Sequence, residues 1–152
     1  MPAQAAKSVV FKYGILRESI SVADLSTLAQ TGEPPASLRA FLKLARRDPA
    51  QLRQVLTKEI AVNPISLSQI LNSFPGEVVL DLVSDVIRTP SGRASRESLR
   101  GALVSSALPD GSINLLEVLE NYPTPEVYLE GDRLVEIYNN INRIVGHLPD
   151  LK

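Results

Sequence analysis

Apolar positions at the start of the chain alternate with period two and then change to a helical rhythm. Val9, Phe11 and Tyr13 share one face of an extended segment. After Gly14 the alternation resumes through Leu16, Glu18, Ile20 and Val22, with Arg17 and Ser19 on the opposite face. This pattern predicts a half-buried antiparallel hairpin. A hairpin alone is marginal in water, so a third strand is expected. "EVYLEG", residues 126–131, supplies one, with Val127 and Leu129 on one face and Tyr128 on the other. A small antiparallel ribbon tying the two ends of the chain together is therefore expected.

Helical spacing governs the sequence between these segments. Ser21 is a candidate N-cap for "VADLSTLAQ", and Gly32 with Pro34 and Pro35 stops that helix. Leu38, Phe41, Leu42 and Ala45 repeat at i, i+3, i+4, i+7, the spacing of one helix face. Asp48-Pro49-Ala50-Gln51 reads as a cap with proline at N1, followed by a stripe of Leu52, Val55, Leu56 and Ile60 that ends at Pro64. Ser66–Gln69 has the form of a capping box, with Leu67, Ile70, Leu71 and Phe74 behind it and a break at Pro75-Gly76.

Val79, Leu82, Val83, Val86 and Ile87 predict the most apolar helix face of the chain. "TPSGRAS" reads as a loop, after which Leu99, Ala102 and Leu103 mark another helix, with Leu108 at its outer end. "PDGS" is a turn, and Leu115, Leu116, Leu119 and Tyr122 predict a short helix before Pro123. Leu134, Tyr138, Ile141, Val145 and Leu148 predict a longer C-terminal helix. The expected class is mostly α (α+β): a compact bundle of about seven short helices with the small ribbon. Residues 7–148 form one helical domain in this reading, with 1–6 and 149–152 as tails; the length of 152 residues suits one domain.

Composition narrows the chemistry. The chain has no cysteine, which removes disulfides, Cys–zinc sites and thiol catalysis. Its one histidine, His147, leaves almost no material for His-rich metal sites or Ser-His machinery, and its place near a helix end suits a cation against the dipole. No G-x-S-x-G, P-loop, G-x-G-x-x-G or H-E-x-x-H occurs. The sequence thus gives no basis for an independent enzyme, a metal centre or a cofactor. Residues 1–60 carry nine Lys/Arg against five Asp/Glu, and residues 61–152 seven against twelve. The imbalance reads as solvated helix faces; no basic stripe interleaved with aromatics points to nucleic acid. No apolar run approaches the ~18 residues that span a membrane.

Two constellations remain. Asp81 with Asp85, and Glu117 with Glu120, each share a helix face and form carboxylate pairs of the kind a glycosidase holds across a cleft; solvated outer faces are the preferred reading. Arg88, Arg93, Arg96 and Arg100 flank "TPSG" at a helix entry, where free N–H groups favour an anion or a partner carboxylate. Local acids, Glu97, Asp81 and Asp85, are the plainer partners for these arginines. The N-terminal Ala3-Gln4-Ala5 has the small-x-small form of a signal-peptidase site, though without a basic or apolar stretch ahead of it. A signal-peptide remnant and an Ala-rich flexible tail both fit.

"FKYGILRESISVADLSTLAQTGE" adds a resemblance. Phe11, Tyr13, Gly14, Ser19–Val22, Leu25 and Leu28–Gly32 resemble the opening of a domain of unknown function that stands at the N-terminus of exported cyanobacterial proteins classed as alpha/beta hydrolases. "PISLSQILNSFPGEVVLDLVSDVIRTPSG" is similar to that family's central block, and "LLEVLENYPTPEVYLEGDRL" to its closing helix, proline turn and strand. The likeness runs over about residues 7–145. It implies export, in the periplasm, thylakoid lumen or extracellular space, and thereby favours the signal-peptide reading. It carries no catalytic residue onto this chain, because no nucleophile elbow is present. The expectation is a non-catalytic accessory module that binds a partner protein, such as a hydrolase domain, or a small apolar ligand. A carboxylate enzyme or a structural envelope component are the rivals.

Overall fold

The computed structural model describes residues 6–133, apart from the side chains of Pro75, Val79 and Leu82. The C-terminal helix expected from Leu134 onward, and His147, lie outside the described residues.

The hairpin forms as its alternation requires. Strand β1 (Ser8–Tyr13) pairs antiparallel with β2 (Leu16–Ser21), from Ser8 opposite Ser21 to Tyr13 opposite Leu16. Gly14 takes φ +60 in the two-residue loop, at the first loop position, where type II′ hairpins favour glycine. The 126–131 segment also joins, as β6 (Glu126–Glu130), but in the other sense. It lies parallel to β1, so the expected antiparallel ribbon is a mixed sheet. A parallel neighbour needs a long crossover, and here the whole helical region supplies it. A two-residue strand, β4 (Ile87–Arg88), completes the order β2-β1-β6-β4, antiparallel to β6.

Seven α-helices lie among the described residues. Helix α1 (Val22–Thr31) starts where expected: the Ser21 hydroxyl accepts from Asp24 N–H at 3.0 Å, and Gly32 ends it in the left-handed region at φ +81. Helix α2 (Ala36–Ala45) buries Leu38, Phe41, Leu42 and Ala45, the four residues its spacing marked. Helix α3 (Pro49–Thr57) is capped by Asp48 and buries Leu52 and Leu56. Ile60 leaves the helix and pairs with Ile113 in a second, two-stranded sheet, β3 (Ile60–Ala61) with β5 (Ser112–Ile113).

Corrections to the sequence reading cluster in residues 63–87. Pro64 opens a helix, α4 (Pro64–Leu71). Asn63 is its cap, accepting from Ile65 and Ser66 N–H at 3.0 and 3.1 Å, so the Ser66 box is not a start. Pro75 and Gly76 fall inside the first turn of α5 (Phe74–Ser84), where proline costs no hydrogen bond. The helix predicted through Ile87 ends at Ser84, and Val86 and Ile87 enter the core as extended chain. Helix α6 (Ser95–Ala107) and helix α7 (Leu115–Glu120) follow as expected, α7 with a full capping box between Asn114 and Glu117.

One core joins these layers. The inner sheet face contributes Val9, Phe11, Ile20, Val127 and Leu129, packed with Leu25, Leu28, Leu56, Leu99 and Leu119 from the helices. Ala6, placed in the N-terminal tail by the sequence reading, is buried in the same cluster.

Candidate functional site

The four arginines do not converge. Arg88 is a sheet residue: its guanidinium meets Glu130 at 3.0 Å and the Asp85 carbonyl at 2.9 Å, and lies 5.9 Å from the Tyr128 ring centre. Arg96 projects from α6 to α5, meeting Asp81 at 2.9 Å and Glu77 at 3.9 Å. The Arg93 side chain stands on the exposed loop, whose shape is set by the Thr89 hydroxyl donating to the Arg93 carbonyl at 2.8 Å. Arg100 buries its Nε without a hydrogen-bond partner. Only Arg88 and Arg96 line the open depression of about 590 Å³ at the entry to α6, beside Asp81, Asp85 and Glu97, and both are already ion-paired. The helix itself starts without a side-chain cap, at Ala94 in the left-handed region (φ 55).

One member of each carboxylate pair holds a structural partner. Asp81 holds Arg96, and Asp85 lies exposed at the C-terminal end of α5. Glu117 accepts from the Asn114 N–H at 3.1 Å to close the α7 capping box. Burial raises the Glu117 carboxyl above its ordinary value; the Asn114 hydrogen bond works against this, while Glu59, Asp110 and Glu120 add to it. Burial also raises Glu120. Among the described residues no group of three or more His, Cys, Asp or Glu is placed to hold a metal ion. No described helix is long and apolar enough to cross a membrane.

A different site is built where the end of β1 meets α2 and α3. The Phe11 and Phe41 rings lie 5.7 Å apart and, with Leu42, Leu52 and Val55, line an apolar groove of about 300 Å³. Its far wall comes from Gly131 and Asp132. That wall closes tightly: a Cβ on Gly131 would come within 3.0 Å of the Lys12 carbonyl oxygen. Asp132 fixes the hairpin tip, both carboxylate oxygens accepting from Gly14 N–H at 3.1 Å.

Arg47 stands at the groove's mouth, and the backbone puts it there. The chain leaves α2 through Arg46 in the left-handed region, and the Arg47 N–H returns to the Leu42 carbonyl at 2.9 Å, the long bond of a Schellman turn. The Arg47 guanidinium then lies 5.0 Å from the Tyr13 ring centre while its Nε donates to the Tyr13 hydroxyl at 2.6 Å. Sequence reasoning placed Phe11 and Tyr13 on one strand face and Phe41 and Leu42 on one helix face, but it did not find this site. The only local signal was the Arg46-Arg47 pair wedged between an apolar stripe and the Asp48 cap. Nothing in sequence order brings residues 131–132 to them.

A mostly helical α+β domain with a small mixed sheet and an apolar groove at one end of it is thus the class that the geometry defines. The chain matches the family model described as "Alpha/beta hydrolase of unknown function (DUF1400)" over residues 5–130, and it belongs to that family. No curated protein and no solved structure matches it.

Proposed function

We propose that this chain is an exported, non-catalytic accessory module of its hydrolase family, of the kind that stands ahead of a hydrolase region in cyanobacterial proteins, and that its groove binds a small apolar ligand. The observation that carries this reading is the groove of about 300 Å³ floored by Phe11, Phe41, Leu42 and Leu52. Its size is at the lower end of the ~300–1,000 Å³ typical of small-molecule sites, and its mostly apolar wall with a few polar groups at the mouth is their usual build. A hydrolase of the alpha/beta type works through a nucleophile elbow, G-x-S-x-G, with a histidine base; the sequence has no such motif and one histidine. Export is supported by the Ala3-Gln4-Ala5 pattern.

The test is binding of decan-1-ol, kept below its solubility limit, followed by NMR or calorimetry. The wild-type protein should bind it, and Val55→Trp, which fills the groove from a half-buried position on α3, should not. Failure of the wild type to bind any ten-carbon probe, or equal binding by a folded Val55→Trp protein, overturns the reading. A partner protein is the second reading. It is favoured by Phe74 and Val78, four apart on α5 and 78% and 44% exposed.

A further inference from the structure

The mouth of the groove holds one guanidinium and two carboxylates, and they are not equally free. Asp48 accepts from the Ala50 N–H at 2.9 Å as the cap of α3. Asp132 shares the one Gly14 N–H between its two oxygens. Each carboxylate therefore has a backbone donor and a fixed structural task. Arg47 forms no ion pair among the described residues; the one hydrogen bond of its guanidinium there runs from Nε to the Tyr13 hydroxyl. That bond and the ring beneath it orient the guanidinium plane and leave its two terminal nitrogens without a described acceptor. A planar fork held in place beside an apolar channel is the arrangement that receives a carboxylate through two parallel hydrogen bonds.

We propose that the groove takes a linear acyl carboxylate, with the chain lying over Phe11, Phe41, Leu42 and Leu52 and the carboxylate on Arg47. This rests on the reading of the groove as a ligand site and adds the head group. A groove of about 300 Å³ stands at the lower end of small-molecule sites, which suits a medium-length chain. Tyr13 is a positioning residue here: it holds Arg47 and does not itself meet the head group.

The experiment compares decanoate, decan-1-ol and decyltrimethylammonium, all below their aggregation limits, on the wild type, Arg47→Gln, Arg47→Lys and Tyr13→Phe proteins. Arg47 is exposed and Tyr13→Phe keeps the ring, so each variant is expected to fold, which circular dichroism checks. Decanoate should bind the wild type roughly tenfold to a hundredfold more tightly than decanol, the range for charge-assisted hydrogen bonds, and the ammonium most weakly. Arg47→Gln should bring decanoate down to the decanol level, with a loss for decanoate several-fold larger than any change in decanol binding. Arg47→Lys should restore part of the preference, and Tyr13→Phe should weaken decanoate alone. Decanol binding that is as tight as decanoate binding, or a preference that survives Arg47→Gln, overturns the head-group assignment while the groove reading stands. Failure of every ten-carbon probe to bind overturns both.

Discussion

Gly76 and Gly101 both lie inside helices, and the same substitution should change stability in opposite directions at the two positions. On helix propensity alone, Gly→Ala gains about 1 kcal/mol at either one. At Gly101, on α6, an added Cβ meets nothing within 4 Å, so Gly101→Ala should stabilise by about 0.5–1 kcal/mol. Gly76 sits in the first turn of α5, against the end of α4. A Cβ there would collide with the Ile70 carbonyl oxygen and come within 2.7 Å of both Ile70 C and Leu71 Cα. Ordinary van der Waals contact begins near 3.4 Å, so the two helices would have to part by more than half an ångström. All three obstacles are backbone atoms, and no rotamer change relieves them. Overpacking costs roughly 1–3 kcal/mol, and a backbone clash belongs at the upper end. Net of propensity, Gly76→Ala should destabilise by about 2 kcal/mol. Urea unfolding followed by circular dichroism measures both variants. With a slope of ~1–3 kcal/mol per molar, the midpoints of the two variants should differ by on the order of 1 M or more. A Gly76→Ala protein as stable as the wild type would refute the close approach of α4 and α5.

Three further outcomes are expected. Tyr122 is fully buried beside Ser95 and Ser98 but its hydroxyl has no hydrogen-bond partner of good geometry; Tyr122→Phe should leave stability at neutral pH unchanged or raise it by up to ~1 kcal/mol, and a loss above ~1.5 kcal/mol would show the hydroxyl to be bonded. Burial pushes its ionisation up to about 12, against the pull of the two serine hydroxyls, so the folded state resists ionisation. Wild-type stability should then fall relative to Tyr122→Phe between pH 10, where the unfolded tyrosine ionises, and pH 12. Glu117→Gln keeps an oxygen for the Asn114 N–H. Because the folded Glu117 binds its proton more tightly than the unfolded one, the wild type should be the less stable of the two at pH 7, and the gap should close as pH falls through the raised folded value toward the unfolded 4.5; a gap that widens in acid would refute the assignment. Finally, Leu119→Ala in the centre of the core should cost about 2–5 kcal/mol, while Arg96→Ala, breaking only partly exposed ion pairs, should change stability by less than ~1 kcal/mol in the same unfolding assay.

Local chemistry was legible in the sequence wherever a single turn or a single period decides the outcome. The hairpin at Gly14, the caps at Ser21 and Asp48 and the stripe of Leu38, Phe41, Leu42 and Ala45 each depend on residues within a few positions of one another. The capping signal at Ser66 lost to Asn63 because proline at N1 fixes the earlier start, and both are available to the same stretch of chain. The pair Val86 and Ile87 has the spacing to continue a helix, yet Ile87 finds Leu129 as a strand partner more than forty residues away. A short apolar run reads alike in a buried helix and a buried strand.

The groove lies at the far end of that scale. Each of its walls is written in the sequence as an ordinary amphipathic segment, and residue patterning alone was enough for the class of fold and the main apolar faces. The parallel course of β6 along β1 emerged only in three dimensions, because strand direction is set by how the intervening helices pack and not by alternation. That choice carries residues 131–132 past the end of the hairpin, where Asp132 ties down Gly14 and Arg47 meets Tyr13. Period and capping are properties of neighbouring residues; a cavity is a property of distances between segments that no local pattern records.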